Sequence, residues 1–158
     1  MVIVGCQFLI GVVFVTAVLG KVTGYPAFVD SVADMGFKPA APIAALVLLG
    51  EVAVVALLVG VPVAGFALAA LLLLAFAVGI VLSLRRGNSR PCRCFGRSTT
   101  ALGRQHVWRN VFLIAVALLG ALTGPAPAGP AVAVLAAVTG LVVGGLIVLL
   151  DDLRFLFA

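Results

Sequence analysis

Charged residues are scarce in this chain: they make up 9% of its 158 residues, against 65% hydrophobic, and mean hydropathy is +1.37. A soluble globule of that length cannot bury so much apolar surface, so the scarcity excludes a water-soluble fold and makes the bilayer the solvent. The apolar runs also lack the two-residue alternation of a membrane β-barrel, which leaves α-helices to satisfy the backbone in hydrocarbon. Cysteine is rare too. Cys6, Cys92 and Cys94 are too few for the disulfide framework of a small secreted domain. Nor is there length for a separate soluble catalytic domain, so residues 1–158 are expected to form a single membrane domain. Any chemistry then sits in or beside the membrane. Met1 to Gln7 lacks a positively charged stretch and a small-x-small cleavage pattern, so the first apolar run reads as a retained helix with Cys6 buried in it.

What is present predicts an all-α, polytopic transmembrane helix bundle of five spans. They cover about Val2 to Gly20, Ala40 to Gly60, Val63 to Leu84, a fourth ending at Thr123, and Ala131 to Leu150. The fourth is long enough to cross only if it begins near His106 or Val107, with Trp108 as an interface anchor; a four-span core with a partly re-entrant segment is the alternative. Lys21 to Pro39 reads as a loop, because it carries Asp30, Asp34 and Lys38 among the breakers Gly24, Pro26 and Gly36. Gly60-Val61-Pro62 predicts a tight helical hairpin. Ala136, Gly140 and Gly144 form a small-residue stripe on the last helix, expected to serve packing within the chain rather than a dimer interface.

Ten basic residues face five acidic ones. In a membrane protein this excess is first a topology signal, and nucleic acid is not an expected partner. With five spans, Lys21, Lys38, the seven arginines from Arg85 to Arg109 and Arg154 all fall on one face. The positive-inside rule makes that face cytoplasmic and places the amino terminus outside, in a bacterial cytoplasmic (inner) membrane.

The densest chemistry lies in Arg90-Pro91-Cys92-Arg93-Cys94-Phe95-Gly96-Arg97. Two cysteines one residue apart can close a strained, labile disulfide or share a soft metal, and both uses involve the thiolate. Arg90, Arg93 and Arg97 supply a field that favours that thiolate. A basic loop with two inert cysteines is the plain alternative. Metal use ranks third, because a complete soft-metal site wants three or four ligands, and His106 beside Trp108 reads as an interfacial residue. Glu51 is the one ionisable residue inside a span; an acid at that depth faces the bundle interior, is protonated or has a partner. It is a candidate to carry protons that accompany thiol chemistry, to bind a polar head group such as a quinone, or to fix helix packing. Lys21, with Arg109 and Asn110, is expected at the level of the cysteine loop, where these residues can bind an anion, pair with Asp30 or Asp34, or position the loop. For Lys21 alone, snorkelling is the simpler expectation.

These residues carry a resemblance. Lys21 after the first span, Glu51 within the second, Arg86-Gly87 leading to Cys92-x-Cys94-Phe95-Gly96, and Arg109-Asn110 opening a helix are similar to the methylamine-utilisation MauE family. That family belongs with the DoxX-like, redox-associated membrane proteins. The resemblance covers roughly Val2 to Leu122, leaving the last helix outside it. Members usually carry Gly between the cysteines, where this chain has Arg93, a change that lowers loop flexibility and strengthens the positive field. The resemblance implies a membrane protein that works with a thioredoxin-like partner in forming or isomerising disulfides of an exported protein, as in maturation of methylamine dehydrogenase. Two other classes remain open on the residues: a non-catalytic membrane subunit that scaffolds or regulates a larger complex, and transport of a small solute past Glu51.

Overall fold

The computed structural model describes residues 1–86, 104–123 and 129–157, with side chains through Leu149. The cysteine loop, and with it Arg90, Cys92, Arg93, Cys94 and Arg97, lies outside the described residues. Six helices run in the order α1 (Val2–Thr23), α2 (Tyr25–Asp34), α3 (Ala40–Gly60), α4 (Pro62–Arg85), α5 (Arg104–Leu122) and α6 (Pro130–Phe157). Among the described residues there is no strand. Five helices are long and apolar enough to cross a membrane, all except α2. The start of α5 at Arg104 gives the fourth span its crossing length, as the five-span reading required.

The segment from Lys21 to Pro39 corrects the loop reading. Its first residues complete α1, and residues 25–34 form α2. The residues that read as breakers are that helix's caps. Gly24 is its N-cap and Pro26 stands in its first turn, where the missing N–H costs nothing. Gly36, at φ +86°, ends it: the Gly36 N–H donates to the Ala33 carbonyl and the Phe37 N–H to the Val32 carbonyl. This paired closure needs a left-handed residue after the last turn. Phe28 and Val32 turn inward onto Ala44 of α3, while Asp30 and Asp34 are exposed. A short amphipathic helix thus covers one flank of the bundle.

Helices α3, α4 and α5 pack as successive antiparallel neighbours. Pro62 opens α4 directly after the α3 end, where the Val61 N–H donates to the Leu57 carbonyl and closes the last turn of α3. Gly65 lies against Leu57 and Leu58, and Gly50 against Leu72, which sets the α3/α4 register. Gly120 lies against the Phe66 ring and Val107 against Ile80, which sets the register of α4 and α5. The core runs through Ile10, Phe14, Val54, Phe66, Leu73 and Leu113, all buried.

The helix α6 packs most extensively on α1. A Cβ at Gly140 would lie 3.1 Å from the Leu9 backbone nitrogen, and one at Gly144 would lie 2.9 Å from the Leu9 carbonyl oxygen. Backbone cannot yield as a side-chain tip can. The stripe is therefore consumed inside the chain, by close approach of two helices in lipid. Gly140→Leu is expected to lower the thermal stability of the purified protein by about 1–3 kcal/mol or more, the range of overpacking. Gly145→Leu, where a Cβ meets open space, is the control that should leave the melting curve in place.

Candidate functional site

Helix α3 is apolar throughout except for Glu51, and its buried face is Ala44, Glu51, Val54 and Leu58. That periodicity turns the carboxylate into the bundle, where none of its surface is exposed. An ionised group there demands an opposite charge within contact. Lys21 supplies it. The lysine stands in the last turn of α1, on the same buried face as Val13, Phe14 and Ala17. Its Nζ donates to Glu51 Oε1 at 2.6 Å, and its own side chain is 1% exposed. The snorkelling expectation for Lys21 is therefore overturned: the side chain reaches inward to Glu51 rather than outward to head groups.

Two aromatic rings complete the lysine's surroundings. Phe28 of α2 and Phe76 of α4 place their centroids 5.2 Å and 5.6 Å from Nζ, where a ring face attracts a cation. Phe28 can do this only because residues 25–34 are helical. The same two rings line a partly open apolar cleft of about 200 Å³ between α2, α3 and α4, together with Val47, Leu72 and Gly79.

Further polar groups lie toward the end of the bundle where α4 stops and α5 starts. Ser83 of α4 is 1% exposed and Asn110 of α5 is fully buried. The Asn110 Nδ2 donates to the His106 carbonyl at 2.8 Å, which leaves its Oδ1 free to accept. His106 is buried at 5%, so the interfacial expectation for it does not hold. Helix α5 starts early enough to turn it inward. Trp108, on the opposite side of the helix, is 72% exposed and suits the interface role. Arg109 is half-buried and lies close enough for its charge to act on Lys21. Three fully or almost fully buried oxygens have no hydrogen-bond partner among the described residues: Glu51 Oε2, Ser83 Oγ and Asn110 Oδ1.

Of the residues singled out in the sequence, the fold joins Glu51 directly to Lys21 and sets Arg109 where its charge acts on Lys21. Cys6 is a buried free thiol near the other end of α1. No group of three or more His, Cys, Asp or Glu side chains that could hold a metal occurs among the described residues. The pairing of Lys21 with Glu51 and the inward positions of Ser83, His106 and Phe28 were not read from the sequence. A usable signal existed for the first: one lysine and one glutamate are the only charges on the interior faces of α1 and α3, and each needs the other.

These features define a polytopic helical membrane protein with a buried ion pair below one end of its bundle. The chain belongs to the MauE family: the family model described as methylamine utilisation protein MauE matches residues 1–123. The match takes in α1 to α5 and stops before α6. Comparison with curated proteins finds no match, and comparison with solved structures finds none.

The ion pair gives a direct stability test. Lys21→Met strands a buried carboxylate and Glu51→Leu a buried ammonium; each is expected to destabilise by roughly 3–5 kcal/mol, while the double variant recovers most of that loss. Thermal melts of the four proteins in one detergent measure the coupling. Additive losses would show that the two groups do not act as a pair.

Proposed function

We propose that this MauE-family protein is a membrane thiol-disulfide redox protein in which Cys92 and Cys94 cycle between dithiol and disulfide. The observation that carries this reading is the combination of the Cys-x-Cys element with a buried Lys21–Glu51 pair below the same end of the bundle. In the sequence the cysteines fall between α4 and α5, and the end of α4 and the start of α5 mark the end of the bundle toward which Ser83, Asn110 and the ion pair lie.

One cysteine thiolate attacks the disulfide of a thioredoxin-like partner and forms a mixed disulfide. The second cysteine resolves it, so two electrons pass to the partner and the protein keeps the new disulfide. The reverse sequence oxidises the partner. Arg90, Arg93 and Arg97 favour the attacking thiolate. Oxidation of two thiols releases two protons, and Glu51, poised against Lys21, is the group we assign to proton handling. The α2/α3/α4 cleft has the apolar lining that a quinone ring needs, with Phe28 and Phe76 as its aromatic wall. A quinone held there would supply a two-electron acceptor. The one-sided distribution of basic residues supports a topology with the cysteine loop and the carboxy terminus on the cytoplasmic face of a bacterial inner membrane. An exported client requires either that redox equivalents pass from that face through the bundle or that the topology is inverted.

The scaffold reading gains nothing from the small-residue stripe of α6, because the Gly140 and Gly144 face is occupied by α1.

Cys92→Ser and Cys94→Ser test the redox reading. One of the two is expected to accumulate a mixed disulfide with a thioredoxin-like protein, and both are expected to abolish maturation of the client. If neither captures a partner and maturation persists, the reading fails. Arg93→Glu is expected to slow alkylation of the cysteine pair near neutral pH by about tenfold, as the thiolate fraction falls. An impermeant thiol reagent added to intact cells should leave Cys92 and Cys94 unlabelled until the membrane is opened; labelling from outside would invert the topology.

A further inference from the structure

Polarity inside the bundle is distributed unevenly along its length. On α5 the buried stripe reads His106, Asn110, Leu113, Ala117 and Gly120, so its polar members stand in the first two turns. On α4 the buried face runs from Phe66 through Leu73 and Ile80 to Ser83, polar only in its last turn. On α1 it stays apolar from Leu9 to Ala17 and ends with Lys21. On α3, Val54 and Leu58 follow Glu51 away from this end. In each buried stripe, polar side chains lie at the level of Glu51 or on the loop side of it. Beyond it, toward the other end, the interior is filled by Phe14, Val54, Phe66 and Leu58, none more than 2% exposed. The polar side chains of that second half are satisfied locally: Thr16 bonds its own helix carbonyls, and Gln7 donates to the Leu58 carbonyl.

The register places these groups in sequence. Val107 lies against Ile80, so Ser83, one turn nearer the loop, stands level with the first turn of α5 and His106. Asn110 is one turn deeper on the stripe, bonded to the His106 carbonyl. Helix α5 packs on α1, whose Lys21 ammonium contacts Glu51. Ser83 Oγ, Asn110 Oδ1 and Glu51 Oε2 are each buried and lack a hydrogen-bond partner among the described residues. Oxygens left without a partner in hydrocarbon are costly, because the water bonds they lose on burial are not replaced. Internal water bonds to just such groups, and it needs a polar lining with two or more partners.

We propose that the loop-side half of the bundle holds a chain of internal water on Ser83 Oγ, Asn110 Oδ1 and Glu51 Oε2, forming a proton half-channel that reaches Glu51 from the loop-side face alone. This extends the proton role given to Glu51 above, on which it rests, and it requires no cysteine. The charged groups bearing on Glu51 are Lys21 of α1 and, through it, Arg109 of α5. Helix α4 turns no ionisable side chain onto its buried face, and Asp30 and Asp34 of α2 are exposed. The half-channel ends in the ion pair. Protons entering at the loop side exchange with Glu51 and go no further, since Val54, Leu58 and Phe66 close the other half.

Glu51 is the single glutamate in the sequence, so carbon-13 glutamate introduced by cell-free synthesis gives an infrared carboxyl band for this residue alone. The full chain carrying Cys92→Ser and Cys94→Ser is placed in vesicles in one orientation, and the band is followed after a pH step on either face. The band is expected to respond to the loop-side step and to ignore the opposite one. Asn110→Leu, and separately Ser83→Ala, which keeps the packing, are each expected to slow the response by about tenfold, the equivalent of one lost hydrogen-bonded link. Leu113→Ile in the apolar half is expected to leave it unchanged. Equal rates in all four proteins, or an equal response from both faces, would overturn the half-channel. Loss of client maturation is measured separately on the cysteine-containing protein, so failure of the redox reading and failure of the proton route leave different results.

Discussion

A lysine and a glutamate buried together in an apolar bundle constrain everything around them. Neither charge is stable there alone, and the attraction between them offsets the cost of removing both from water only while the contact holds. Helices α1 and α3 must therefore keep the register that leaves Nζ and Oε1 2.6 Å apart. The aromatic pair follows from the same demand. Phe28 and Phe76 shelter the ammonium without competing for its hydrogen bonds, and Phe28 is available only because α2 folds back along the bundle.

The rest of the interior adapts to this pair by dividing in two. Away from the loop, helices approach through small residues and fill the space with branched and aromatic side chains, as at Gly120 against Phe66 and Gly140 against Leu9. Toward the loop, the same buried stripes turn polar at Asn110, His106 and Ser83. In the proposed half-channel the dry half seals and the polar half conducts. In the proposed thiol redox role, that division would let protons reach a buried acid without opening a path across the membrane, which would dissipate the gradient. The helix α6, beyond the matched family region, reinforces the dry half by packing along α1.

The fold was legible in the sequence because length and hydropathy dominate membrane insertion. The Ala40–Gly60 span has the expected bounds, and the Pro62 hairpin and the small-residue stripe sit where the residues predicted them. The segment after α1 was misread because Gly24, Pro26 and Gly36 are the same residues whether they break a helix or cap one. Only the hydrogen bonds from Gly36 and Phe37 back into the last turn distinguish the two cases. His106 was misread because its neighbour Trp108 does face outward, and two positions on a helix turn the chain through more than half a revolution.

By itself the sequence determined the solvent, the number of spans, the depth of Glu51 and the concentration of cysteine and arginine in one loop. Each of these depends on composition along a line, and a hydrocarbon slab reads composition along a line. The partner of Glu51 was decided only by tertiary structure. Lys21 is thirty residues away on another helix, and the direction in which a long flexible side chain points, outward to head groups or inward to a carboxylate, depends on which helix faces are brought together. The same holds for the polar half of the interior. Ser83, His106 and Asn110 are separate residues on two helices until packing aligns their buried stripes, and that alignment is set by close contacts such as Val107 on Ile80 rather than by any property of the three residues themselves.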